Sequence, residues 1–184
     1  VHEQSYADCY GIFETESLYY VSNGKFVQGQ WQVINGKWYY FNKESDYAYT
    51  SDAHTYSALR DGAYRIDDEY YYFNADGTLR KKGYFTIEDN TYYADAKGYV
   101  AAGITKIKGK KYGFDTETYQ MLYGFVKING NYYYFDEETG VMLKGWQKMN
   151  GKYRYFSKKN GKMQKSKRIG KYYVNSKGIR TKKK

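Results

Sequence analysis

Proline is absent from this chain of 184 residues, and cysteine occurs once, at Cys9. One cysteine forms no internal disulfide, so the fold must be stable without one. We interpret Cys9 as an inert residue of a frayed first repeat, with an intermolecular thiol as the alternative. No run of about 18 apolar residues is present, so we predict no transmembrane segment. The first residues also lack a signal-peptide pattern, and we expect the chain to be part of a longer polypeptide.

Aliphatic residues are scarce for a chain of this length. Only 41% of the residues are hydrophobic, whereas the chain has 27 Tyr and 19 Gly. A globular domain normally fills one central core with more Leu, Ile and Val. The apolar side chains here are mostly aromatic and evenly spaced, so we expect them to be buried between neighbouring repeats.

Residues with catalytic chemistry are also few. The two histidines, His2 and His54, lie in no motif, and no Ser-His-Asp or metal-ligand spacing is present. The acidic clusters at 67–69 and 136–138 fall at predicted turns, where carboxylates are ordinarily exposed. We therefore predict no catalytic residue, no metal site and no cofactor.

A repeat of about 20 residues fills the chain. Residues 145–156 read GWQKMNGKYRYF and residues 124–135 read GFVKINGNYYYF, while further copies start at Gln30, Gly62, Gly83 and Gly103. Degenerate copies at both ends bring the array to about eight units, which is typical of a stacked repeat fold. We place these units in one array over 1–184, near 11–29, 30–61 (a long unit), 62–82, 83–102, 103–123, 124–144, 145–166 and 167–184.

Turn chemistry predicts the structure within each unit. Two short β-prone runs flank an Asn-Gly pair at 35–36, 129–130 and 150–151. Both residues of a type I′ turn need positive φ, which Asn and Gly tolerate best, so each unit is predicted to be a β-hairpin. After the hairpin, an apolar pair such as Val141 and Met142 is expected to fill the gap before the next unit.

The second strand of each hairpin is aromatic on both faces. In NYYYF at 131–135, Tyr132 and Tyr134 point to one side, and Tyr133 and Phe135 point to the other. An isolated hairpin is marginal in water, so two aromatic faces indicate hairpins stacked on each other.

The pattern GW…NGKWYYF…GxM resembles the cell-wall-binding repeat family. Its members include choline-binding modules of surface proteins and lytic enzymes, glucan-binding repeats of glucansucrases, and receptor-binding repeats of large secreted toxins. The resemblance covers nearly the whole chain and implies an all-β, left-handed solenoid of stacked β-hairpins, with ligands in shallow sites between consecutive units. It also implies a protein that is secreted or displayed on the surface of a Gram-positive bacterium.

In the choline-binding branch, the resemblance implies a box of aromatic rings around a quaternary ammonium, which is attracted to ring faces by cation–π interaction. Two rings come from one unit and a third from its neighbour. Carried over to this sequence, the resemblance gives the pairs Trp31 with Trp38, Phe125 with Tyr132, and Trp146 with Tyr153, with Tyr72, Tyr134 and Tyr155 as neighbouring rings.

The other units lack a complete ring pair. The same positions hold Ala63 with Tyr70, Tyr84 with Thr91, and Ile104 with Lys111. We therefore expect two or three competent sites, of which the Trp31 and Trp38 unit is the only one with two tryptophans.

The ligand class stays open at this point. Only three Trp occur, and tyrosines with nearby Asn, Gln and Lys also suit sugars, whose C–H faces stack on rings. Choline-decorated teichoic acid and carbohydrate are both candidates. The long return at 42–61 resembles long units of toxin-type arrays, where carbohydrate is held, with a plain loop insertion as the alternative.

Acidic residues are absent from the C-terminal part of the chain. Residues 145–184 hold 15 Lys and Arg and no Asp or Glu, whereas residues 1–144 hold 15 basic and 20 acidic residues. Such a block is expected to attract teichoic-acid phosphates, other anionic wall polymers or acidic lipid headgroups. A solvated end cap is the alternative, and we expect no specific nucleic-acid binding, because stacking already requires the tyrosines. The residues concerned are Lys158, Lys159, Lys162, Lys165, Lys167 and Arg168.

These observations favour a non-catalytic binding module that attaches a secreted or surface protein to a cell-envelope polymer, teichoic acid or polysaccharide. The main alternative is a structural spacer whose tyrosines only stack. A small catalytic domain is the third hypothesis, and it predicts that the isolated chain turns over a substrate.

Overall fold

A computed structural model describes residues 11–14, 18–42 and 57–181 of the chain. In these ranges the regular elements are β-strands, and no helix there is long and apolar enough to span a membrane. The residues His2, Cys9 and His54, and residues 43–56 of the long return, lie outside the described part of the chain.

The described strands form eight small antiparallel sheets, each built on one hairpin. Sheets with a third strand are β1–β3, β10–β12 and β17–β19, and the others have two strands. The strands are β1 Gly11–Glu14, β2 Leu18–Ser22, β3 Lys25–Phe26, β4 Gln30–Ile34, β5 Lys37–Phe41, β6 Gly62–Ile66, β7 Glu69–Phe73, β8 Gly83–Ile87, β9 Asn90–Ala94, β10 Gly103–Ile107, β11 Lys110–Phe114, β12 Met121–Leu122, β13 Gly124–Ile128, β14 Asn131–Phe135, β15 Gly145–Met149, β16 Lys152–Phe156, β17 Lys167–Ile169, β18 Tyr172–Val174 and β19 Arg180–Thr181.

The turns between paired strands have the geometry predicted from the sequence. Asn35 and Gly36 have φ of 51° and 76°, and the Asn-Gly pairs at 129–130 and 150–151 also have positive φ at both residues. The turn at Asp67 and Asp68 contains no glycine, yet both residues have positive φ, at 49° and 65°. The predicted all-β array of about eight hairpins is therefore confirmed.

The chain divides into two compact units. The first contains the described residues of 1–83 together with 94–100, and the second contains residues 84–93 and the described residues of 101–184. Each unit is a stack of hairpins in sequence order. The boundaries of the single repeats stay a prediction.

In seven of the described hairpins, the core is built from the residue that ends the second strand, and in the first hairpin the buried residue is Val21, one position before the end of β2. Phe135 is fully buried and packs with Ile128, Tyr133 and Met142. Tyr132 and Tyr134 on the other face are partly exposed, as the predicted alternation requires. The equivalent residues, all completely buried, are Phe41, Phe73, Ala94, Phe114, Phe156 and Val174.

Segments that follow each hairpin fix the register of the stack. The Met142 N–H donates to the Lys111 carbonyl in the preceding hairpin at 2.8 Å, and the Leu143 N–H donates to the Tyr134 carbonyl of its own hairpin at 2.8 Å. Met142 is 6% exposed, as its predicted gap-filling role requires, whereas Val141, the other member of the predicted pair, is only partly buried. The first unit has an equivalent pair of bonds. The Leu79 N–H donates to the Trp38 carbonyl at 2.8 Å, and the Arg80 N–H donates to the Tyr72 carbonyl at 2.7 Å.

Candidate functional site

Aromatic clusters form where one hairpin packs on the next. Each cluster begins with the ring that follows the first residue of the first strand, which we call the first-strand ring (Trp31, Tyr84, Phe125 or Trp146). The predicted boxes add the first aromatic residue of the second strand, which we call the second-strand ring (Trp38, Tyr132 or Tyr153).

Trp31 lies between two hairpins of the first unit. Its ring centroid is 5.2 Å from that of Tyr40, its cross-strand partner, and 4.8 Å and 5.8 Å from Tyr71 and Phe73 in the next hairpin. The Trp38 ring lies 6.2 Å away at 71° and is 40% exposed. Trp31 therefore contributes to packing, while Trp38 presents a ring to solvent.

A pocket of about 290 Å³ opens beside these two tryptophans. Two lysines extend over its rings: the Lys81 Nζ lies 5.0 Å from the Trp38 centroid, and the Lys97 Nζ lies 5.6 Å from the Tyr99 centroid. The pocket thus combines aromatic faces with positive charge. Its lining is Trp31, Trp38, Tyr71, Leu79, Lys81, Ala96, Lys97 and Tyr99.

Tyr71 forms the buried wall of this pocket. It is 8% exposed, and its ring centroid is 5.3 Å from that of Tyr99. Burial raises the pKa of the Tyr71 phenol, and a hydrogen bond with Tyr99 raises it further.

Alkaline pH is expected to destabilise the protein through this phenol. Because the folded-state pKa of Tyr71 lies above the unfolded value of 10.0, its contribution to stability is complete below about pH 10 and is lost as the pH rises further. Melting temperatures between pH 8 and 12 should fall less steeply in Tyr71→Phe, whereas Tyr173→Phe, at an exposed position, should follow the parent. Equal slopes for the parent and Tyr71→Phe would contradict this assignment.

A second cluster, made only of tyrosines, lies in the other unit. The Tyr84 ring centroid is 5.0 Å from Tyr93 in its own hairpin and 5.9 Å from Tyr112 in the next hairpin. Tyr84 is 45% exposed, so its ring is accessible. Within the described part of the chain, no lysine or arginine lies over these three rings. Thr91 occupies the second-strand position here, and the sequence therefore predicted an incomplete box.

Phe125 and Tyr132 stack directly on each other. Their centroids are 5.0 Å apart and their planes differ by 10°, so no ligand fits between the two rings. The outer faces carry cations: the Arg154 guanidinium lies 5.3 Å from Phe125, and the Lys165 Nζ lies 4.6 Å from Tyr132. The Arg154 Nε is buried and has no hydrogen-bond partner in the described residues.

The Trp146 cluster surrounds an arginine. Trp146 contacts Tyr155, its cross-strand partner, at 5.1 Å and Tyr172 of the next hairpin at 5.6 Å. The Arg180 guanidinium lies 4.1 Å from Tyr153, 4.7 Å from Tyr172 and 5.8 Å from Trp146. One cation thus touches three of the rings around this site.

The structure brings Trp31 together with Trp38 and Phe125 together with Tyr132, whereas Trp146 and Tyr153 are linked through Arg180. Of the predicted neighbouring rings, Tyr155 contacts Trp146 within the same hairpin, and Tyr134 is the cross-strand partner of Phe125 and lies 5.9 Å from Phe156 of the next hairpin. Tyr72 stands opposite Ala63, and the ring that reaches Trp31 from the next hairpin is Tyr71. Tyr112 and Tyr172 have the equivalent place in their clusters. Strand alternation places Tyr71 on the same face as the buried Phe73, and the packing of the hairpins turns that face toward the preceding hairpin. The binding roles of all these residues stay predictions.

Two family models match the chain. The choline-binding repeat matches residues 122–168, and the cell wall binding repeat matches residues 29–44, 64–79 and 82–100. Together these matches cover more than half of the sequence. No curated protein sequence matches the chain significantly.

Solved structures from Streptococcus pneumoniae share the fold. Choline binding protein F, crystallised in the presence of a peptidoglycan analogue, is 22% identical with a TM-score of 0.73, and the match covers 95% of this chain and 58% of that one. CbpJ is 22% identical with a TM-score of 0.72, and coverage is 90% and 56%. The choline-binding domain of CbpL is 22% identical with a TM-score of 0.59, and coverage is 94% and 87%. The chain thus spans under two thirds of the first two proteins.

Proposed function

Because this chain belongs to the family of choline-binding, cell-wall-binding repeats, we propose that it is a non-catalytic binding module. It attaches a secreted or surface protein of a Gram-positive bacterium to a polymer of the cell envelope. The polymer is a choline-decorated teichoic acid or a polysaccharide, bound through aromatic sites between hairpins.

The observation that carries this proposal is the recurrence of accessible rings at hairpin contacts. Trp38 and Tyr84 are 40% and 45% exposed, although each belongs to a cluster with half-buried or buried rings. Exposed aromatic residues beside a pocket are typical of sites that stack sugars or hold ammonium groups. Several such sites on one chain suit a polymer with repeating substituents, because linked weak sites together bind the polymer more tightly than any single site does.

Charge supports an anionic polymer as the partner. Residues 145–184 contain 15 basic residues and no acidic residue, and Lys158, Lys159, Lys165, Lys167 and Arg168 are exposed. Such a surface raises the local concentration of phosphate-containing polymers in a salt-dependent manner.

A solved structure with the same fold supports the same class of ligand. Choline binding protein F has been crystallised in the presence of a tetrasaccharide-pentapeptide analogue of peptidoglycan. We extend only the class of partner, a cell-wall polymer, to this chain.

Co-sedimentation with purified Gram-positive cell walls tests the proposal. We expect the parent to sediment with walls, and Tyr84→Ala to sediment several-fold less, because it removes the exposed ring of the tyrosine cluster. Tyr173→Ala serves as the matched control, since Tyr173 is similarly accessible at 40% exposure and forms no part of the clusters described above. Walls with and without choline, together with washes at rising salt, separate the aromatic from the electrostatic contribution.

A structural spacer is the alternative function, and one observation favours it. Cations of the chain itself already lie over the rings of Trp38, Tyr132 and Tyr153. If the chain is a spacer, the parent should not sediment with walls, and neither choline nor glycans should raise its melting temperature.

A further inference from the structure

We propose that Lys81, Lys165 and Arg180 are built-in cations that close three aromatic sites to a bare quaternary ammonium. The same cations favour a ligand that carries an anionic group beside the part that stacks on the rings. This inference rests on the proposed function, because it assigns the ligand class of the same sites.

All three second-strand rings already interact with a cation of this chain. The distances to the ring centroids are 5.0 Å from Lys81 to Trp38, 4.6 Å from Lys165 to Tyr132 and 4.1 Å from Arg180 to Tyr153. Cations within about 6 Å of a ring centroid are attracted by the negative face of the ring. A quaternary ammonium would need the same faces.

The fold places two of these cations, Lys81 and Lys165, in the same way. The Leu79 N–H donates to the Trp38 carbonyl at 2.8 Å, and Lys81, two residues later, lies over the Trp38 ring. The hydrogen bond that joins the hairpins thus also positions the ammonium. The same arrangement recurs in the other unit with Met163, Tyr132 and Lys165.

These cations have no carboxylate partner in the part of the chain that the structure describes. The salt bridges there join Lys37 to Asp76 and Arg65 to Asp68, and neither involves the cations over the rings. In the Trp38 pocket, Lys97 adds a second ammonium. The pocket therefore repels an incoming cation and attracts an anion.

A ligand with both groups resolves this competition. A phosphate can bind the Lys81 ammonium and draw its flexible side chain off the ring, after which Trp38 is free to stack on a choline or sugar group. A bare ammonium gains the ring only by displacing Lys81 from it and sharing the pocket with the ammonium groups of Lys81 and Lys97. The favoured class is a phosphate-linked choline or phosphate-linked sugar.

Fluorescence titration tests this inference in the Trp146→Phe background, where the emission comes from Trp31 and Trp38 alone, since the chain has three Trp. At constant ionic strength, we expect the parent to bind phosphocholine about tenfold more tightly than choline. Lys81→Met should bind choline about tenfold more tightly than the parent and lose the preference for phosphocholine. Lys82→Met, which changes an exposed neighbour, should behave like the parent.

Equal choline affinity in the parent and in Lys81→Met would overturn the inference, and so would the absence of binding by both ligands. Wall co-sedimentation separates this failure from failure of the proposed function. If the parent sediments with walls but Lys81→Met gains no choline affinity, the module function stands and the role of Lys81 is wrong. If the parent does not sediment with walls, the module function fails, whereas a gain of choline affinity in Lys81→Met still supports the built-in cation.

Discussion

Replacing Phe135 by alanine is expected to lower the free energy of unfolding by about 3–5 kcal/mol, the typical cost of removing a buried Phe side chain and leaving a cavity. Phe135 is fully buried in the second unit. Its ring also fills the space over Gly113 in the preceding hairpin, where an added Cβ would lie 2.5 Å from the ring. The cavity would therefore open between two hairpins and weaken the joint that holds the stack together.

Phe125 provides the matched control for this variant. It belongs to the same hairpin but is 38% exposed, so Phe125→Ala should cost only about 1 kcal/mol. Urea unfolding followed by circular dichroism measures both variants, and Phe135→Leu tests the same site if the alanine variant does not fold. Similar unfolding midpoints for Phe125→Ala and Phe135→Ala would contradict the assigned core.

Truncation of Trp31 is expected mainly to lower the stability of the first unit, whereas truncation of Trp38 is expected mainly to weaken wall binding. Trp31 packs on Tyr71 and Phe73 of the next hairpin, so Trp31→Ala should lower the free energy of unfolding by about 2–3 kcal/mol, less than for a fully buried ring. Trp38 is 40% exposed, so Trp38→Ala should change stability by less than about 1 kcal/mol. It should nevertheless reduce wall binding several-fold, since it removes the exposed ring of the pocket.

Thermal melting and wall co-sedimentation, performed on the same two variants, separate packing from binding. Trp31→Phe is the milder version, because it keeps most of the packing volume while weakening the ring face. If Trp38→Ala melts much earlier than the parent and binds walls equally well, Trp38 is a packing residue and not a ligand site.

The sequence alone predicted much of the fold because its signals are local. A type I′ turn depends on two adjacent residues, such as Asn35 and Gly36, and the side-chain alternation of a strand depends on a period of two. Repetition of these signals at a fixed period predicted the array of hairpins. The exposed and buried faces of strand β14 followed from the same alternation.

The candidate sites were less accessible to prediction. The pair Trp31 and Trp38 lies within one hairpin, and its proximity followed from the turn. The ring from the next hairpin depends on how two hairpins meet, and the repeat period does not contain that register. Tyr71 instead of Tyr72 was selected because the buried face of β7 points to the preceding hairpin.

By itself, the sequence determined the repeat, the turns, the alternating aromatic faces and the family, because each of these depends on residues close together in the chain. Only the tertiary structure decided which side chains share a site. Lys81 reaches Trp38 from the end of the next repeat, because a backbone hydrogen bond from Leu79 to Trp38 sets the register between hairpins. Interactions between residues this far apart in sequence depend on packing, and no local pattern specifies them.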